Sequence, residues 1–407
     1  MAATENHTAF GGKPVAPVIL LALGHGATHY TWGTILILVP FIKQALDLTY
    51  TQAGLIVAVF HVTGFFANFM TGLAVDVSGR RMLFMVLSAL LCGATTFSLG
   101  LSSSLFLICV AAGFMAIGVQ GWHPPAFACL AEEYEKAKGL VFSIHVVAAN
   151  IGEALAFQIG GLLVTLLGSW QLAAMAGGMP GLLMGVILLI FMLPKERGAG
   201  GGQKQGMGLK DYLEGYVQLL KNMPAMMVCL VSALRTMAQN GLMVFVPLYL
   251  IDVLGVTAAL TGTAMLLMQV TGGFATPVGG YTADRYGPRP VLFVCISITS
   301  VAIVAATLLT DPTSYIACIA IIGFVLFAIR PVLQRWIVDL VPNEFRGSAT
   351  SVMFSMQAAA NAITPIIGGW IADSYGMMPV FYFLAVIMLT ANLVTVVLPK
   401  RNPANAD

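Results

Sequence analysis

Apolar runs recur from end to end of the chain and are separated by short polar segments. Each run reaches about 20 residues, the length that crosses a bilayer as an α-helix. They predict twelve helices, at about 15–42, 51–76, 82–101, 104–131, 139–165, 170–193, 223–251, 257–283, 289–309, 312–340, 346–370 and 377–399. In the fourth, His123 precedes Pro124-Pro125, which predicts a break or kink, because proline has no backbone N–H and crowds the preceding turn. One connection is long, 194–222. It opens PKERGAGGGQKQG, a flexible Gly-rich linker. It continues LKDYLEGYVQLLK, where Leu209, Tyr212, Leu213, Tyr216 and Leu220 recur at helical spacing, the pattern of an amphipathic helix on a membrane surface. The predicted organisation is a six-helix bundle over 1–193, this cytoplasmic linker over 194–222, and a second six-helix bundle over 223–407.

Composition agrees with lipid as the solvent. Of 407 residues, 58% are hydrophobic and 9% charged, against about 25% charged in a soluble domain. A net charge of +2 argues against a nucleic-acid partner. The six cysteines lie in apolar runs without metal-ligand spacing and read as small packing residues. MAATENHTAFGGKP lacks the basic start and short apolar core of a cleaved signal, so the first helix is expected to stay in the mature protein. Lysine and arginine orient the chain. With the N-terminus inside, the inner loops hold Arg80, Arg81, Lys136, Lys138, Lys195, Arg197, Lys204, Lys210, Lys221, Arg285, Arg289 and Arg346, while the outer loops hold Lys43 alone. Both termini are therefore expected in the cytoplasm, with the chain in the plasma (bacterial inner) membrane.

The chain repeats itself. GLAVDVSGRR starts at Gly72 and GYTADRYGPR at Gly280, an offset of 208 that also aligns Lys138-Gly139 with Arg346-Gly347, Ser143 with Ser351, and Gly168 with Gly376. Duplicated halves mark secondary transporters, whose site lies at the midplane between repeats. The two decapeptides resemble the signature loop of the major facilitator superfamily, Gly-x-x-x-Asp-x-x-Gly-x-Arg, after the second and eighth spans. GHGATHYTWGTILILVPFIKQALDLTYTQAGLI, WHPPAFACLAEEY and GLVFSIHVVAANIGEAL resemble more closely its fosmidomycin-resistance-like branch, although His29 stands where an acidic residue or Asn is common. The resemblance implies an all-α membrane protein, twelve transmembrane helices in two pseudo-symmetric six-helix bundles around a central cavity, acting as a monomer. It also implies a gating role for Asp76, Gly79, Arg80, Arg81, Asp284, Gly287 and Arg289, with each Asp meeting an Arg and a neighbouring helix N-terminus. Relatives of this branch are proton-coupled carriers or exporters of small, often anionic molecules.

Few charges fall inside the spans: Glu153, Arg235 and Arg330. Each costs roughly 2.5–3.5 kcal/mol at a helix centre on insertion scales. Polar partners recur at i+4, as Arg235 with Gln239, Arg330 with Gln334, Gln357 with Asn361, and His25 with His29. Such pairs share a helix face, and lipid cannot satisfy that face. His61 and His123 read equally well as simple interhelical hydrogen-bonding groups. Metal binding of the HExxH kind is not expected, since no Glu follows His25 and no third ligand is near in sequence. Glu153 is able to neutralise one arginine and not both, and arginine stays protonated. A bound anion would relieve the excess. The expected substrate is therefore a small organic anion, held by Arg235 and Arg330 with His25, His29, Gln239, Gln334, Gln357 and Asn361. Glu153, helped by His145 or His29, is expected to couple transport to protons. The alternative is a broad drug/proton antiporter, which the 22 methionines would suit. No P-loop and no GxSxG is present, so neither ATP use nor membrane-embedded catalysis is expected, and no cofactor or metal.

Overall fold

The computed structural model describes residue 10 and residues 12–196, 220–342 and 346–398. Among these residues there is no strand. The order of α-helices is α1 Ala16–Ala45, α2 Tyr50–Ser78, α3 Arg81–Leu99, α4 Leu105–Gly121, α5 His123–Glu133, α6 Lys138–Leu167 and α7 Trp170–Phe191, then α8 Met223–Asp252, α9 Ala258–Tyr286, α10 Pro288–Ala306, α11 Pro312–Asp339, α12 Arg346–Tyr375 and α13 Met377–Val397. The amphipathic helix expected over Leu209–Leu220 lies almost wholly outside the described residues. α4 and α5 are one 29-residue span, Leu105–Glu133, broken at Trp122. The break has the predicted cause: Pro124 and Pro125 occupy the first turn of α5, where missing N–H groups do no harm.

Ten of these spans are long and apolar enough to cross a membrane. α1 and α12 fall short of that measure, and they carry His25, Thr28, His29, Thr31 and Thr34 in one case and Gln357 and Asn361 in the other. The exposed surface is apolar over long stretches, as at Phe65, Phe66, Phe69, Met70, Leu73 and Val77 along α2. In water that would be an aggregation face, whereas in hydrocarbon it matches the solvent. Helix starts are capped locally. Ser104, Ser169, Thr257 and Asp311 accept hydrogen bonds from the N–H groups of Leu107, Leu172, Leu260 and Ser314, which satisfies donors that have no intrahelical partner.

Contacts divide the chain into two compact units, Met1–Phe41 with Val62–Gly201, and Ile42–His61 with Gly202–Asp407, taken over their described residues. In unit 1, α3 lies along α4 and α7. In unit 2, α9 lies along α11, α8 along α12 and α13, and α10 along α11 and α13. α8 is the innermost element there, with every residue from Asn240 to Leu250 buried. Ile42–His61 belongs by sequence to the first half but packs in unit 2. The Asp373 carboxylate accepts from Tyr50 N at 2.7 Å and Thr51 N at 2.9 Å. Lys43 pairs with Asp252 at 3.3 Å.

Candidate functional site

Unit 1 gathers four histidines. Its close helix contacts rest on glycine: a Cβ on Gly152 would sit 2.0 Å from the Gly26 carbonyl oxygen, and one on Gly33 2.8 Å from that of Glu153. α1 and α6 therefore touch backbone to backbone, as small residues allow in membranes. That approach sets His25 against His145 and His29 against Glu153. His25 donates Nδ1–H to the His145 carbonyl oxygen at 2.9 Å, and the two rings stack with centroids 4.0 Å apart. The Nδ1 of His29 lies 3.4 Å from Oε2 of Glu153. Trp122, at the α4–α5 break and fully buried, donates Nε1–H to Nε2 of His145 at 3.4 Å. His123, the first residue of α5, packs edge-on to His25 with centroids 5.0 Å apart.

The Glu153 carboxylate thus lies against the His29 ring. Both side chains keep some exposure, 22% for His29 and 15% for Glu153, while His25 and His145 are buried. His145 shares the broad side of α6 with Glu153, as its spacing predicted, but it engages Trp122 and His25 instead.

Unit 2 carries a different chemistry. Arg235 in α8 is 4% exposed. Its Nε and Nη2 donate to a single oxygen, the Leu326 carbonyl in α11, at 3.3 and 3.2 Å, and its guanidinium lies 5.9 Å from the Phe327 ring centroid. Among the described residues no carboxylate forms an ion pair with Arg235. Arg330, exposed on α11, stands close enough for its charge to act on Arg235. Two positive groups thus lie within electrostatic reach of one another.

The rest of the α8 face is hydrogen-bonded to α12. Gln357 donates to Ser232 Oγ at 2.5 Å, and Asn240 donates Nδ2–H to the Asn361 backbone carbonyl at 2.9 Å. His61 Nε2 meets Asn240 Oδ1 at 3.3 Å. The Asn361 Oδ1 is buried and accepts no hydrogen bond. Gln239 and Gln334 are half-buried on α8 and α11. Ser232 and Asn240 were missed by the sequence reading. Ser232 lies on the face set by Arg235 and Gln239, three residues before Arg235, so the same periodicity would have found it; Asn240, adjacent to Gln239, lies off that face.

Both signature loops place glycine at a positive φ. Gly79 has φ +67° and Gly287 φ +84°, values that a Cβ disfavours. Their charges are used unequally. Asp284 binds Arg335 of α11, which also meets Asp339 at 3.6 Å. In unit 1 it is Arg81 that pairs, with Glu132 of α5 at 2.5 Å. Asp76 is exposed and, among the described residues, in no ion pair. The carboxylate on the α3 N-terminus is Glu196, which accepts from Met82 N at 2.9 Å and Leu83 N at 3.3 Å. Arg289 donates to the Val396 carbonyl, and Arg80 is exposed.

Duplicated bundles of membrane-length helices, with ionisable groups held inside the spans, define a multi-pass membrane carrier. Comparison with known proteins agrees. The sequence model of the Major Facilitator Superfamily matches residues 21–268 and 228–407, and the chain belongs to that superfamily. It is similar to the hexuronate transporter of Bacillus subtilis (strain 168), with 24% identity over 404 residues and 92% of each chain covered. It is also similar to the multidrug efflux pump Tap of Mycolicibacterium fortuitum, 26% identical over 404 residues that cover 95% of this chain and 96% of the pump. Among solved structures, a bacterial homolog to the human lysosomal transporter Spinster shares the fold, with a TM-score of 0.82 at 17% identity over 94% of this chain and 97% of that one.

Proposed function

We propose that this protein is a secondary transporter that moves a small organic anion across the bacterial inner membrane by alternating access, driven by protons, with both termini cytoplasmic. One observation carries the reading: the buried guanidinium of Arg235, held by one neutral carbonyl and by no carboxylate among the described residues. A buried charge without a counterion is costly. A carboxylate or phosphate-bearing ligand supplies the missing charge, and the planar guanidinium suits bidentate contact with it. The positive charge of Arg330 strengthens the attraction. Similarity to a hexuronate transporter supports an anionic substrate, as does the likeness to the fosmidomycin-resistance-like branch in spans one, two, four and five.

The coupling group in this reading is Glu153 with His29. Their Oε2 and Nδ1 atoms lie 3.4 Å apart, within reach of one shared proton. The signature loops, with Asp76, Gly79, Arg80 and Arg81 in one half and Asp284, Gly287 and Arg289 in the other, act as gates. Breaking the Arg81–Glu132 and Asp284–Arg335 pairs would free the helix ends they tie. A drug/proton antiporter is the second reading, favoured by the likeness to Tap along 95% of this chain.

The test is a thermal-shift screen of the purified protein against small carboxylates, phosphonates and phosphate esters at two pH values. Ligand at a hundred times its Kd stabilises the folded state by about 2.7 kcal/mol. A shift that is present in the parent and absent in Arg235→Ala supports the anion reading. An equal shift in both sinks it. Binding of a lipophilic dye that no carboxylate displaces favours the antiporter. Counterflow of labelled ligand in proteoliposomes, with the ligand recovered unchanged, separates transport from catalysis.

A further inference from the structure

Sequence spacing set metal binding aside for want of a third ligand beside His25 and His29. Folding brings one from another helix. A ring nitrogen of His123 joins those of His25 and His29, with the three ligand atoms within 4.8 Å of one another. One nitrogen of each of two of these rings is already engaged. His25 Nδ1 donates to the His145 carbonyl, and His29 Nδ1 lies against the Glu153 carboxylate. Those acceptors place the proton on Nδ1 and leave the lone pair on Nε2. Both Nε2 atoms are buried and take part in no hydrogen bond. Orientation of a ring by a carbonyl or carboxylate on its outer nitrogen is what metal-ligating histidines show.

We propose that His25, His29 and His123 form a three-imidazole site for a divalent transition-metal ion of the zinc, nickel or copper class, with Glu153 and the His145 carbonyl as orienting groups. The ligand set chooses the class, since neutral imidazole suits these ions and not Mg²⁺ or Ca²⁺, which take oxygen. Zn–N bonds of about 2.0–2.1 Å in a tetrahedron put ligand nitrogens about 3.4 Å apart. Side-chain shifts on the order of 1 Å close the present separations to that value. Three protein ligands leave the fourth position for water or an incoming oxygen ligand. All the residues belong to unit 1. The proposal does not depend on the anion reading, which rests on Arg235.

The experiment uses the full-length chain, purified in detergent and freed of metal with a chelator. Zn²⁺ is titrated by calorimetry, and Co²⁺ by its visible absorption. Expected are one ion per chain, the intense visible bands of tetrahedral Co²⁺, and no heat with Mg²⁺. His29→Ala and His123→Ala should each weaken Zn²⁺ by more than tenfold. Glu153→Gln should weaken it about 10- to 100-fold, as loss of an orienting partner does. His61→Ala, in unit 2, and Arg235→Ala should leave it unchanged. Undiminished affinity in the His29→Ala/His123→Ala double variant would overturn the proposal. So would a weak, octahedral Co²⁺ spectrum in the parent, a readout that stands even where a variant fails to fold.

Discussion

At matched positions of the duplicated chain, 208 residues apart, α6 carries Glu153 and α12 carries Asn361. The first lies 3.4 Å from Nδ1 of His29 in α1, whereas the second lends its backbone carbonyl to Asn240 and leaves its Oδ1 unbonded. At the same offset His145 answers to Met353, and Trp122 to Arg330. What the halves share is glycine with positive φ at matched turns: Gly79 and Gly287, and Gly168 and Gly376. What they do not share is ionisable chemistry. Unit 1 holds imidazoles beside a carboxylate, and unit 2 holds a buried guanidinium. Turn geometry is constrained by sterics wherever the fold is repeated. Side chains facing polar ground are free to diverge, and under the proposed function they divide two tasks, proton coupling and anion binding.

The strongest way to break that division is Arg235→Ala. Removing one side of a buried charged contact costs about 2–5 kcal/mol, so anion-induced stabilisation should vanish in the thermal-shift screen. Arg235→Lys should fall between, since lysine keeps the charge and loses the planar fork. Next is Glu153→Gln, which should leave anion binding in place and abolish the dependence of transport on a pH gradient in proteoliposomes. Asn361→Ala, at the matched position, should lower affinity at most and keep that dependence.

Gly152→Ala and Gly323→Ala test the close helix contacts of the two units alike. Their Cβ atoms would stand 2.0 Å from the Gly26 oxygen and 2.3 Å from the Met268 oxygen. Each should cost about 1–3 kcal/mol of stability, read by thermal unfolding. Gly273→Ala, with nothing within 4 Å of its Cβ, should be tolerated. The smallest effect is expected at Asp311, outside the spans. The Ser314 N–H and hydroxyl hold its carboxyl below the usual carboxylate range. A depressed folded pKa adds stability above the unfolded value of about 3.9 and loses it as pH falls through the folded value. The Tm difference between the parent and Asp311→Ala should therefore be constant above about pH 5 and shrink toward acid.

Helix limits were legible because a membrane span announces itself by length: the prediction of 51–76 became Tyr50–Ser78, and 170–193 became Trp170–Phe191. The break before Pro124 was legible too, since proline acts on its own turn. Partners across helices were not. The contact of His29 with Glu153, the seat of Arg235 on Leu326 and the capping of α3 by Glu196 join residues 124, 91 and 114 positions apart.

The sequence alone settled what lies along one helix: the spans, the repeat, the turn glycines, the kink, and the polar stripes that cannot face lipid. These follow from period, length and transfer free energy, all local properties of the chain. Only the tertiary structure decided which stripe meets which, because that depends on where small residues let two backbones touch. Gly26 and Gly152 do this for α1 and α6, and so of the two histidines expected to help Glu153 it is His29 that lies beside it.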